Sequence, residues 1–211
     1  MSAESVVGAS VDALWLATLN QIASRAAHEL KGALNGVSVN LEVVRSRAEK
    51  ADVAASAVRT FASSAAEQLD SVIELAEALL ALSRPARQPV DVGRSLLMMS
   101  SLLSPAARAD GRELRVDPTL SDVGLTSANG NAARVAIGAS LLAAVDASPQ
   151  VEVDEATDFP HDIEPSVRPV TVRVKLGKHQ ARIASEVMTA VGAEGIQILT
   201  EPSVIYISFP R

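Results

Sequence analysis

Between Ser10 and Ser83 the chain has no proline, and its apolar residues recur every three or four positions. This period places side chains along one face of an α-helix, so the stretch predicts long helices. The charged segment Glu49–Asp52 predicts the turn between two helices. Pro85 predicts the second helix's end at Ser83, because proline disfavours helical backbone in the residue before it. The two apolar stripes are Leu19, Ile22, Ala26, Leu30, Ala33, Val37, Leu41 and Val44, and then Ala54, Val58, Phe61, Ala65, Leu69, Val72, Ala76 and Leu79.

A single pair of antiparallel helices has too little partner surface to bury both stripes. Two such hairpins bury them as a four-helix bundle, so we expect a homodimer. The alternative is a monomer whose hairpin packs against the rest of its own chain.

After a proline-bounded linker, residues 85–91, the pattern becomes a mixture of helices and strands. This order predicts helices layered on one face of a mixed sheet. We therefore expect an α+β chain with a hairpin domain at 1–84 and a second domain at 92–211. The predicted helices are Val92–Ala109, Asn131–Ala147 and Gln180–Val191, and the predicted strands are Glu113–Val116, Val123–Thr126, Val151–Val153, Val170–Leu176, Gly195–Thr200 and Ser203–Phe209.

The amino-acid composition argues against several classes of function for this chain. A net charge of -6 offers no basic footprint for nucleic acid. The absence of cysteine removes disulfides, thiolate zinc sites and cysteine nucleophiles. The sequence has neither a signal-peptide pattern at its start nor an apolar run of membrane-spanning length. We therefore expect a cytoplasmic protein that binds neither nucleic acid nor a membrane.

His28 is the candidate for chemistry. At about 100° per residue it lies about 180° from Leu19 and about 160° from Ala26 and Leu30, so it should point to solvent. Neutral imidazole is a competent nucleophile near neutral pH. Small neighbours would leave the ring open to a docking protein, and cationic neighbours would favour a phosphoryl group on it. These neighbours are Ser24, Arg25, Lys31, Gly32 and Asn35.

The alternative for any exposed histidine is a plain surface residue. His161, in the acidic segment 154–165, and His179, at a predicted helix start, are both interpreted in this way. The acidic segment itself predicts a solvated loop, and no spacing of His, Asp and Glu indicates a metal site.

Sequence context distinguishes His28 from the other two histidines. Ala26-Ala27-His28-Glu29-Leu30-Lys31-Gly32-Ala33-Leu34-Asn35-Gly36 resembles the H-box of two-component sensor histidine kinases. In that family a phosphoacceptor histidine, followed by an acidic residue, lies on the first helix of a dimerisation hairpin. Residues 85–91, 134–146 and 192–210 resemble the family's linker, N-box helix and final helix-to-hairpin segment. The resemblance implies that His28 is the phosphoacceptor and Glu29 its acidic catalytic neighbour.

Three departures from the kinase pattern concern ATP. Ala139 and Ala143 stand where the N-box would place metal-binding asparagines, and methyl groups cannot hold Mg²⁺. No Asp-x-Gly-x-Gly segment follows, and no glycine-rich lid lies between Val170 and Gln180. The chain therefore resembles the histidine phosphotransferases of the ChpT type and the sporulation phosphorelay type, in which a degenerate kinase ATPase-like domain follows the hairpin.

This resemblance implies a homodimer that shuttles a phosphoryl group between response-regulator receiver domains through His28, without binding ATP. It implies no cofactor or metal of its own, because the receiver brings an aspartate and Mg²⁺. The receiver would dock around Ser24, Arg25, Lys31, Gly32 and Asn35. Two other functions stay open: a non-catalytic dimeric scaffold or pseudokinase that sequesters a response regulator, and a kinase with an unusual ATP site.

Overall fold

Two long helices form an antiparallel hairpin in the computed structural model, which describes residues 9–50, 54–86, 88–156 and 169–211. Helix α1 spans Val11–Ala48 and helix α2 spans Ala55–Ser83. Ser10 caps α1 by accepting a hydrogen bond from the backbone N–H of Ala13. Near the turn, the guanidinium of Arg47 donates to the carbonyl of Ala57 at 3.1 Å and lies over the Phe61 ring. These contacts hold the end of α1 against the start of α2.

The other described part of the chain forms two β-sheets and three α-helices. Its strands are β1 (Val90–Asp91), β2 (Glu113–Val116), β3 (Leu125–Thr126), β4 (Gln150–Glu155), β5 (Val170–Lys175), β6 (Gln197–Glu201) and β7 (Val204–Phe209), and its helices are α3 (Val92–Ala109), α4 (Gly130–Ala147) and α5 (Ser185–Gly192). The five-stranded sheet has the order β2-β4-β5-β7-β6, with β2 and β4 parallel and the other pairs antiparallel. Strands β1 and β3 pair separately.

The sheet is apolar on one face and polar on the other. Along β4, Val151 and Val153 are buried, while Glu152 is exposed. This alternation is typical of a sheet covered by helices on one side. The prediction of an α+β chain with an N-terminal helical hairpin and a C-terminal mixed sheet is confirmed.

Most predicted elements are found within a few residues of their expected bounds, and two predictions are wrong. Residues 180–184 are not helical, and α5 begins at Ser185. In this stretch Ala181 is buried, and Arg182 and Ile183 line a cavity against α1 and α4, so tertiary packing overrides helix propensity. The strand predicted at Val123 begins at Leu125, because a 3₁₀ helix capped by Asp117 ends at Asp122. His161 lies outside the described residues.

The hairpin packs against the second half of its own chain through α1. Gly138 of α4 lies so close to α1 that a Cβ built on it would be 2.6 Å from Thr18 Cγ2 and 3.4 Å from Ile22 Cδ1. Arg134 of α4 donates from Nη1 to the carbonyls of Leu82 and Arg84, where α2 ends. One face of the hairpin therefore packs as the monomer alternative expected.

Replacing Gly138 with alanine should lower the free energy of unfolding by about 1–3 kcal/mol, because the added methyl overlaps Thr18. The matched change Gly32→Ala places a Cβ where nothing lies within 4 Å, so it should raise stability by roughly 0.5–1 kcal/mol through helix propensity. Urea denaturation followed by circular dichroism checks both. A G138A variant with the same free energy of unfolding as the wild type would show that α1 and α4 are not in close contact.

Candidate functional site

His28 lies on α1 with its side chain exposed to solvent. Within the part of the chain that the structure describes, it makes no hydrogen bond or ion pair. Ser24, Lys31 and Asn35 on the same side of α1 are also exposed, and Gly32 has open space where a side chain would be. The imidazole is therefore accessible to a docking protein.

Arg25 forms a salt bridge with Asp146 of α4. Its Nη2 lies 2.8 Å and 2.9 Å from the two carboxylate oxygens of Asp146. The side chain of Arg25 is 30% exposed and that of Asp146 is 60% exposed. Arg25, predicted as a cation that would favour a phosphoryl group on His28, thus also joins the hairpin to α4 one turn before the histidine.

Glu29 points in a different direction from His28, because consecutive residues do not face each other on a helix. It is half-buried and belongs to the wall of a groove between α1, α2 and α3. The structure therefore places the acidic neighbour in this groove rather than beside the exposed imidazole.

The groove, of about 500 Å³, is the largest of the described cavities. The polar lining of the groove includes two acidic residues, Glu29 and Glu74, and one basic residue, Arg108. Gly32, one turn after His28, forms part of its rim. The complete lining is Glu29, Gly32 and Ala33 of α1, Gln68, Ser71, Glu74 and Leu75 of α2, and Ser101, Ser104, Pro105 and Arg108 of α3. The α2 and α3 members were missed by sequence reasoning, because tertiary packing brings them to α1.

Ala139 and Ala143 line a smaller cavity of about 270 Å³ between α1, α4 and the start of α5. Its α1 wall includes Ala17, Thr18 and Gln21. Its described charged residues are Arg182, Asp146 and Glu186, so carboxylates outnumber cations. Both alanines are half-buried, and α1 forms one wall of the cavity in front of them.

Two kinds of feature are absent from the described residues. No group of three or more His, Asp and Glu side chains is placed to hold a metal ion there. The described helices include none with the length and apolar character that a membrane span requires.

Arg25→Gln and Asp146→Asn should each lower the free energy of unfolding by about 0.3–1 kcal/mol, since the pair is partly solvent-screened. The double variant should lose no more than either single variant, because both changes remove one interaction. Urea denaturation of the four proteins measures this coupling. If the double variant loses as much stability as the two single variants together, Arg25 and Asp146 do not act as a pair.

Comparison with known proteins gives a distant structural likeness. No family model matches the chain, and no curated protein matches it. A solved structure of the histidine kinase AdeS of Acinetobacter baumannii is similar with 10% sequence identity and a TM-score of 0.38, covering 87% of this chain and 97% of that one.

Proposed function

We propose that this chain is a dimeric histidine phosphotransferase of the ChpT type, which passes phosphoryl groups between receiver domains through His28. The observation that carries the proposal is the open, unpartnered imidazole on α1, one turn from a groove between three helices. Sequence context supports the same residue, because His28 and Glu29 stand in a segment that resembles the H-box.

The transfer needs little from this chain beyond position and charge. A lone pair of the His28 imidazole attacks the phosphorus of a receiver's aspartyl phosphate, so that a P–N bond forms as the P–O bond breaks. The electron pair of that P–O bond leaves with the aspartate carboxylate. The reverse steps load a second receiver. The Lys31 ammonium, one turn after His28, would stabilise the charge of the phosphoryl group, and the receiver would supply Mg²⁺ for the same purpose.

The groove offers the receiver a place to dock. It borders Gly32, so a helix or loop lying in it would come beside His28. Its acidic and basic residues suit a polar, transient interface, and about 800 Å² per partner or less is typical of such exchange complexes. Arg108 of α3 would give the second domain a direct part in recognition.

The α4 cavity argues against the kinase alternative. A nucleoside triphosphate is strongly anionic, whereas the cavity lined by Ala139 and Ala143 has Asp146 and Glu186 against Arg182. Neither alanine can coordinate Mg²⁺. The degenerate ATPase-like domain is therefore proposed to position the hairpin and not to supply phosphate.

An exposed apolar stripe supports the homodimer. Leu16, Leu34 and Leu41 of α1 and Leu69, Ile73 and Leu80 of α2 are 45–61% exposed. On each helix this stripe lies about 100–180° from the main contact residues, which are Thr18, Ile22, Arg25 and Glu29 of α1 and Gln68, Ser71, Glu74 and Leu75 of α2. Both helices therefore turn apolar side chains away from their own C-terminal half. A second hairpin would bury this face as a four-helix bundle.

His28→Ala should abolish acceptance of an acid-labile phosphoryl group from a phosphorylated receiver, because the nucleophile is gone. The measurement follows radiolabel from phosphorylated receivers of the same organism onto wild-type and variant protein. Lys50→Ala, an exposed change beyond the end of α1, is the matched control and should be labelled like the wild type. A wild-type protein that binds receivers but never carries label would instead support the scaffold.

Ile73→Glu should convert the dimer to a monomer, because it places a charge in the proposed interface. Val39→Glu is the matched control, since Val39 is 63% exposed but lies about 140° from Leu34 on α1. Light scattering after size-exclusion chromatography gives the mass of each. A monomeric wild type, or equal dissociation by both variants, would contradict the proposed interface.

A further inference from the structure

A third concave site, independent of His28, lies where the hairpin joins the rest of the chain. This cavity of about 340 Å³ is lined by the end of α2, the linker, the first turns of α3 and one residue of α4. Three of its lining residues are arginines, Arg84, Arg94 and Arg134, and we call it the arginine cavity. A chain of net charge -6 thus brings three cations to one concave surface.

No counter-charge is paired with these guanidinium groups among the described residues. Asp91 is the one acid in the described lining, and its carboxylate caps α3 by accepting the backbone N–H of Arg94 at 2.8 Å. None of the three arginines forms an ion pair in the described ranges. Arg84 and Arg94 are exposed, so both side chains are free to move.

Arg134 is the fixed element of the cavity. It is 7% exposed, and its guanidinium lies 5.3 Å from the centroid of the Trp15 ring. Nη1 donates to the carbonyl of Leu82 at 3.2 Å and to that of Arg84 at 2.7 Å. Nε and Nη2 make no hydrogen bond to any described residue. Burial lowers the pKa of Arg134, the direction expected for a cation removed from water.

Burial of a cation without a counter-ion is costly, and the carbonyl dipoles at the end of α2 offset only part of that cost. An anion in the cavity would supply the missing charge. Guanidinium groups hold phosphate and carboxylate oxygens in a planar, two-point geometry. A volume of about 340 Å³ lies at the lower end of the range of small-molecule sites.

We propose that the arginine cavity binds a small anion carrying a phosphate or dicarboxylate group. Arg134 would hold it from the floor, and Arg84 and Arg94 would close on it from the two sides. Because α2, α3 and α4 all contribute to the walls, the bound anion would brace the hairpin against the second domain. This site does not depend on phosphotransfer, so its failure and that of the proposed function are separable.

Isothermal titration calorimetry of the full chain with inorganic phosphate, pyrophosphate and malonate tests the proposal. We expect at least one of the three to bind with one site per chain and to raise the melting temperature by linkage. Binding of phosphate or pyrophosphate alone assigns a phosphate ligand, and binding of malonate alone assigns a dicarboxylate.

Arg84→Gln and Arg94→Gln should each weaken that binding about tenfold or more, since each removes a charge-assisted contact. Both side chains are exposed, so the variants should keep the wild-type circular dichroism spectrum. Arg59→Gln, an exposed arginine of α2 outside the cavity, is the matched control and should leave affinity unchanged. No binding of any probe, or equal weakening by R59Q, would overturn the proposal.

Discussion

The close packing of α1 on α4 determines the rest of the architecture. Gly138 lets the two helices approach until Thr18 and Ile22 lie against its Cα, and Arg25 binds Asp146 at the edge of this contact. Because α1 is fixed along one side, its other side chains have defined directions. Glu29 turns into the groove beside α3, His28 turns to solvent, and the stripe through Leu34 turns away from the second domain.

Helical periodicity alone was enough to predict the direction of His28. A long helix has a fixed angle per residue, so His28, about 160° from the buried Ala26, points to solvent. The end of α2 at Ser83 was predictable for an equally local reason, since Pro85 acts on the residue just before it. The hairpin, the mixed sheet and the exposed candidate histidine therefore followed from local chemistry.

Contacts between residues that are far apart in the sequence could not be predicted in the same way. Asp146 lies 121 residues from Arg25 along the chain, and no local pattern joins them. The groove requires Arg108 and Gln68 to meet Glu29 in space, which depends on the angle between the hairpin and α3. Residues 180–184 were assigned to a helix on propensity, but their contacts with α1 and α4 favour an extended path.

The small residues of α4 bear both on this packing and on the proposal that the chain transfers phosphate without ATP. Asparagines at positions 139 and 143 would supply amide ligands, but they would also add bulk to a surface that α1 approaches closely. Ala139 and Ala143 supply no such ligands and share a cavity with Thr18 and Gln21, while Gly138 beside them lets Thr18 approach α4. Small side chains at these positions thus offer no ligand for Mg²⁺ and leave space for α1. If the chain transfers phosphate without ATP, a fixed α1 is an advantage, because His28 then stays exposed beside the groove and need not move toward a nucleotide.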